Sequence, residues 1–347
     1  MKKIYFIVLC CYICMTSSCS DDLPGEIGQN PTMVDIFDQF YHFMDERYVF
    51  WDLENTDWDQ MHQYRSQFER LDINDQQDLF SAVELFREMT QDILDHHFTI
   101  DFTARGIQGI QINPSFERKQ FDDVPSYFDS LEEVEAMIRG EQHVGHYTND
   151  SHFITGLTDD QTVIFKTNLF NFGRNYRSGI SAESDESLDW FFDQVENDNI
   201  KHVILDLRSC TGGNLIDLNF FLGKLLIADI HFGYTKMKLG RGRTHYSPLL
   251  PAIVRSRRVN TTAPKITVLT NGITASLAEL MAYIIQSNQL GTLEGASTYG
   301  ATSPIAAIEI FNSGTYSIGE FMRIRTASVQ FLDKNSRSIE GVGVAPN

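Results

Sequence analysis

The sequence predicts an α/β fold, a core of alternating strands and helices preceded by a bundle of three helices. Two observations predict it. From about residue 161, short β-branched runs alternate with amphipathic helical segments. Between residues 32 and 94, apolar and aromatic residues recur at helical spacing.

The elements follow in order. Lys2 and Lys3 precede the apolar run IYFIVLCCYIC, residues 4 to 14, and small residues TSSC end at Cys19. The run is too short for a spanning helix, which needs about 20 apolar residues. It reads as a signal peptide over residues 1–18. The ending resembles a bacterial lipobox, with cleavage before Cys19 and lipid on its thiol. Residues 19–31 are polar and read as a tether. The expected location is the bacterial cell envelope, on the outer membrane or the cell surface.

Residues 32–95 are the expected helical bundle. Val34, Phe37, Phe40, Tyr41, Met44 and Tyr48 mark its first helix; Trp58, Met61, Tyr64 and Phe68 the second; Leu79, Val83, Phe86, Met89 and Ile93 the third. The aromatic stripe reads as core packing. Residues 96–160 are mixed and read as an irregular cap with one short helix at 130–139. In residues 161–347, TVIFKTNLF, HVILDL and KITVLT are strands, while ESLDWFFDQVEND, NLIDLNFFLGKLLI and ASLAELMAYIIQ are helices.

Composition excludes some functions. The 347 residues carry a formal net charge of −19, which argues against nucleic acid as a partner, because the phosphate backbone requires Lys and Arg. Of five cysteines, Cys10, Cys11 and Cys14 leave with the signal and Cys19 is lipidated. Cys210 remains alone, so no intramolecular disulfide forms in the mature chain. A basic stretch, LGRGRTHYSPLLPAIVRSRR, reads as a solvated loop or as a holder of a substrate carboxylate.

Four short stretches could carry chemistry. Ser276, in NGITASLAEL, sits at a strand-to-helix turn where free backbone N–H groups can hold an oxyanion. The same SLAE also reads as a capping box, with Glu279 reaching back. LDLRSCTGGN, residues 205–214, ends a strand in a Gly pair that lets backbone approach a ligand, or simply turns the chain. LDHHFTI places His96 and His97 after Asp95; no third metal ligand follows at a useful spacing, so no metal is expected. SIEGVGVAPN ends the chain with Glu340 before a tight Gly-Val run.

Taken in order, D-H-H-x-T, D-L-R-x-x-x-G-G, N-G-x-T-A-S-x-x-E and E-G-V-G-V-x-P resemble the tail-specific, or C-terminal processing, serine peptidases. The DERYVFW and TDWDQM stretches resemble the tricorn-core branch. The resemblance covers roughly residues 32–347. It implies a crotonase-like spiral of ββα units and a serine peptidase that forms an acyl-enzyme at Ser276. It implies His97 as general base and Glu340 as the acid beside it. The oxyanion hole would be Gly212 or Gly213 with Leu277. It implies a peptide or protein substrate and no cofactor, and leaves oligomeric state open.

The sequence departs from the family at several places. Another branch uses a lysine where this chain has Ala301, so a Ser-Lys dyad is excluded there. Cys210 replaces an asparagine, and His96 replaces a serine of the tricorn tetrad. The pattern stops at Asn347, and no PDZ-like segment is visible between 100 and 160. These departures sustain a rival, a catalytically inactive peptide- or ligand-binding lipoprotein on the same scaffold. Hydrolysis of a non-peptide ester or amide would use the same residues.

Overall fold

Three sheets organise the chain. The computed structural model describes residues 30–119, 124–260, 262–305, 309–310 and 313–347. Cys19 and the signal and tether segments up to residue 29 lie outside them. Among the described residues no helix is long and apolar enough to cross a membrane.

The largest sheet has six strands, in the order Gly291–Gly295, Lys265–Thr270, His202–Asp206, Thr162–Thr167, Ser151–Asp159 and His143–Thr148. The first four are parallel and the last two antiparallel. Parallel pairing needs a crossover that covers the sheet. Helices Ala182–Glu196 and Ser276–Ser287 supply it. Val163, Phe165, Val203, Leu205 and Val268 are fully buried beneath them, which explains their near-continuous apolar runs.

Residues 143–159 were expected to be irregular and are instead the two antiparallel strands of this sheet. HVGHYT is half-buried, with Gly145 and Tyr147 inward and Val144, His146 and Thr148 outward. An edge strand of that composition has no apolar run to reveal it. A further three-stranded antiparallel sheet joins Gln330–Leu332, Ile230–Lys236 and Leu250–Val254.

The N-terminal helices form as Met33–Arg47 and Gln76–Thr90. Each opens on a capping side chain, Thr32 and Asp75 respectively. The middle helix is broken, with a 3₁₀ turn at His62–Tyr64 between Trp58–Met61 and Arg65–Phe68. These helices do not close a core on their own. Phe37, Phe40 and Phe86 share one buried cluster with Ile100, Ile318 and Ile324. Those isoleucines belong to a five-stranded antiparallel sheet, ordered Glu309–Ile310, Ser313–Ile318, Met322–Arg325, Thr99–Phe102 and Gln111–Ile112. The strand that follows His97 thus pairs with one that precedes Glu340.

The first half of the basic stretch, residues 239–249, is a largely exposed loop, and Leu250–Val254 is a strand. Within the loop Arg241 pairs with Glu46, and Arg243 with both Asp45 and Asp59; just before it Lys236 pairs with Asp52. These pairs tie the three-stranded sheet to the acidic rim of the N-terminal helices.

Candidate active site

Strand Lys265–Thr270 ends in the turn 271–275, which side chains stitch to the turn after the neighbouring strand. Thr274 Oγ1 donates to the Leu207 carbonyl at 2.8 Å, and Asn271 Oδ1 accepts from the Ser209 N–H at 3.0 Å. The Ala275 N–H donates to the Cys210 carbonyl at 3.0 Å. The two turns, 205–214 and 271–276, therefore form one rigid unit.

Ser276 opens helix Ser276–Ser287 with φ at +55°, a left-handed conformation that a non-glycine residue adopts at a cost of about 1 kcal/mol or more. It is not a cap: Ala275 holds the N-cap position, without a side-chain cap. Glu279 does not reach back either. Its buried carboxylate accepts from Gly300 N–H at 2.6 Å, Ala301 N–H at 2.8 Å and the Thr298 hydroxyl. The capping-box reading therefore fails, because the glutamate is spent on the loop that follows the helix. Burial raises the Glu279 carboxyl to about 7. Ala301, at the position of a lysine in the other branch, offers Glu279 its backbone instead.

Gly212 lies against Ser276. A Cβ on Gly212 would sit 2.6 Å from Ser276 Cβ and 2.8 Å from the Leu277 nitrogen, and its φ is +102°. Gly213 is pressed against Phe170, where a Cβ would fall 1.9 Å from the carbonyl oxygen. Phe170 bonds on either side of it, donating to Gly212 O and accepting from Asn214 N–H. Among the described residues, the N–H groups of Gly212, Gly213, Ser276 and Leu277 have no acceptor. They flank the Ser276 hydroxyl, which also makes no hydrogen bond. A cleft of about 710 Å³ opens here, walled by Phe170, Leu215, Leu280, Thr302, Pro304 and Ile305.

The second half of the site is assembled across the whole chain. The carboxylate of Glu340 is buried. One oxygen accepts the His96 N–H at 3.1 Å; the other accepts Thr302 N–H at 3.1 Å and Ser303 N–H at 2.9 Å. Asp95 is also buried, and accepts from His97 N–H at 2.8 Å, Ala327 N–H at 2.7 Å and Thr326 Oγ1 at 3.0 Å. A ring nitrogen of His97 and carboxylate oxygens of Asp95 and Glu340 lie within 4.8 Å of one another. The ring's Nδ1 is buried without a hydrogen-bond partner. Burial pushes His97 down to about 4. Burial pushes Asp95 up to about 6, and burial with the Asp95 charge holds Glu340 well above the carboxylate range.

His96 takes a different part. Its Nδ1 sits 3.1 Å from the Tyr299 carbonyl and its ring meets the Tyr299 ring edge-on. Burial, and then the charge of Lys119, lower it to about 4. Cys210 is buried and burial raises its thiol to about 12, so it is an inert core residue.

The structure thus groups Ser276 with Gly212, Gly213 and Leu277, and groups His97 with Glu340. Thr302 connects the two groups, since it lines the Ser276 cleft and donates to Glu340. No hydrogen bond joins Ser276 to His97. Catalytic hydrogen bonds are commonly open in a site without substrate. Sequence reasoning missed the structural weight of Glu279 and Asp95. Only the acid of D-H-H could have flagged the latter.

Residues 171–347 match the family model described as Peptidase family S41. No curated protein matches the sequence. Among solved structures the chain is similar to a peptidase candidate from Parabacteroides merdae, with 19% identity, TM-score 0.67, and 91% of this chain and 89% of that chain covered. It is similar to mature CPAF, solved with lactacystin, with 10% identity, TM-score 0.59, and coverage of 91% and 92%. It is also similar to a lipoprotein from Streptococcus agalactiae, with 12% identity, TM-score 0.50, and 92% of each chain covered. At such identities the structural likeness is one of fold. The family match spans just over half of the residues and contains Gly212, Ser276 and Glu340, and the chain belongs to peptidase family S41, the serine-type peptidases that its motifs resemble.

Proposed function

We propose that the protein is a processing endopeptidase that cleaves peptide bonds through an acyl-enzyme at Ser276, with His97 as general base. The observation that carries this reading is Ser276 itself. It is held in a left-handed conformation at a helix start, its hydroxyl unspent, with unpartnered N–H groups around it. A serine serving only as a helix cap would have a backbone acceptor role and ordinary dihedral angles.

In this mechanism Ser276 Oγ attacks the peptide carbonyl carbon and its proton passes to His97. Charge developing on the carbonyl oxygen is met by the N–H of Gly212 or Gly213 and that of Leu277. The intermediate collapses, the C–N bond breaks, and the leaving amine takes the proton from His97. A water molecule then repeats the sequence on the ester and releases Ser276. Glu340 fixes the backbone at His96 and at Thr302–Ser303, which supports its role as the acid of the set. In this reading the core is a crotonase-like spiral. Cys19 anchors the protein by lipid in the cell envelope, supported by Lys2, Lys3 and the apolar run before it.

The test is labelling of the full-length protein with a fluorophosphonate, beside Ser276→Ala and His97→Ala. Labelling of the wild type that both substitutions abolish is the expected result. A folded wild type that does not label would leave a binding lipoprotein on the same scaffold as the better reading.

A further inference from the structure

Among the described residues, one charged side chain lines the cleft beside Ser276, that of Arg174. Apart from the Ser276 hydroxyl, the other polar side chains there have partners: Thr302 Oγ1 donates to Glu340 at 3.3 Å. Asn171 Oδ1 accepts from Ser151 at 2.9 Å, and Asn214 Oδ1 accepts from Ile216 N–H at 3.1 Å. Arg174 is exposed and makes no hydrogen bond or ion pair among the described residues. In this chain of net charge −19, Arg65, Arg87, Arg208, Arg243, Arg255 and Arg325 pair with carboxylates, while Arg174, like Arg70 and Arg105, does not; of these unpaired arginines Arg174 lines the Ser276 cleft.

The backbone that carries Arg174 is fixed. It lies in the short helix Phe172–Asn175. The Gly173 N–H donates to the buried carboxylate of Asp217 at 2.6 Å. A Cβ on Gly173 would meet Ile216 Cγ2 at 2.8 Å and Asp217 Oδ1 at 3.2 Å, so this helix sits hard against Ile216–Phe220. The guanidinium is therefore presented from a rigid base, with Leu215, Ile305 and Leu280 forming apolar wall in the same cleft. A planar fork of donors with no internal acceptor is built to take a carboxylate in a bidentate fashion.

We infer that Arg174 is a specificity-determining residue that binds a substrate carboxylate in the Ser276 cleft, beside an apolar side chain of the same peptide. The inference rests on the proposed peptidase reading. The carboxylate is either the C-terminal one of the peptide or that of an aspartate or glutamate side chain; the shared chemistry is what the cleft reads. An acidic protein repels anionic peptides at a distance, so a cationic group in the cleft decides which of them seat.

The experiment uses the full-length protein and short apolar peptides in matched pairs. One pair has a free or an amidated C-terminus, and the other has internal Glu or Gln. Each peptide is scored for protection of Ser276 against fluorophosphonate labelling and for cleavage by mass spectrometry. The acidic member of one pair should protect at roughly ten- to a hundredfold lower concentration, the usual worth of a charge-assisted pair. Which pair responds identifies the source of the carboxylate. In Arg174→Ala and Arg174→Gln the members of that pair should fall within about twofold of each other, and Arg174→Lys should restore part of the preference. Equal behaviour of acid and amide in the wild type, no protection by any peptide, or a preference that survives in both Arg174 variants would overturn the inference. Absence of labelling in the wild type would instead remove the peptidase reading on which it stands.

Discussion

The carboxylate of Glu340 accepts the backbone N–H of His96 at 3.1 Å, a contact between residues 244 apart in sequence. Its second oxygen holds the backbone of Thr302 and Ser303. One buried group therefore sets the spacing between the histidine segment and the cleft wall. Glu340→Gln would turn an NH₂ toward one of these N–H donors and leave it unsatisfied, at about 1–3 kcal/mol. The expected outcome is a fall in fluorophosphonate labelling rate together with a lower Tm; an unchanged rate in a fully folded variant would count against the role of Glu340.

Gly212→Ala should cost activity more than stability. The added Cβ would contact Ser276 Cβ and the Leu277 nitrogen in a left-handed backbone. Loss of one oxyanion donor costs about 100-fold or more in rate. Titration with a fluorophosphonate, beside thermal melting, checks both parts.

The pH dependence of labelling should be acidic. Burial lowers His97 to about 4 from an ordinary 6.5, so its lone pair is available above about pH 4. The labelling rate should hold from neutral pH down to about 5 and fall near 4. An inflection near 6.5 would show a solvated base. The stability sign follows from the same shift. Between 6.5 and 4 the unfolded chain takes up a proton that folded His97 refuses, so this group costs the fold stability as pH falls through that window. His97→Gln should remove that share of the decline.

Glu279 works in the opposite sense. Its carboxyl is raised to about 7 from 4.5. The stability it contributes is present below about 4.5 and is lost as pH rises through about 7. The deficit of Glu279→Gln relative to wild type, measured by melting, should therefore shrink as pH rises across that range.

Arg243→Ala should matter little. Its partner Asp45 is partly exposed and Asp59 is exposed, and solvent screens such pairs strongly. A drop in Tm of about 2–4 °C, reduced at high salt, and unchanged labelling are expected.

What the sequence revealed followed from local pattern. The parallel strands Thr162–Thr167, His202–Asp206 and Lys265–Thr270 were legible as β-branched runs, the first of them buried along its whole length; Gly291–Gly295, mostly exposed and with one apolar residue, was not. Helices Met33–Arg47 and Gln76–Thr90 were legible from spacing. The edge strand His143–Thr148 was not, because one of its faces meets water. The pairing of Thr99–Phe102 with Met322–Arg325 was not, because register between distant strands leaves no local mark. At the site, Ser276 and the glycines were legible as turn chemistry. Glu279 was misread because S-x-x-E suits a cap as well as it suits a serine whose glutamate serves another loop. The meeting of His97 with Glu340 was expected from the family resemblance, while the place of Asp95 beside them came from topology alone.

The late strands have a consequence for how the protein is made. Strands Ser313–Ile318 and Met322–Arg325 complete the sheet beneath the N-terminal helices, while Val344 enters the core around helix Ser276–Ser287. Neither core can close while a ribosome still holds these residues. Glu340 joins the histidine segment to the cleft only afterwards. A partly emerged chain therefore carries Ser276 and His97 without the carboxylate that ties the histidine segment to the cleft wall, and the order of synthesis itself delays assembly of the site.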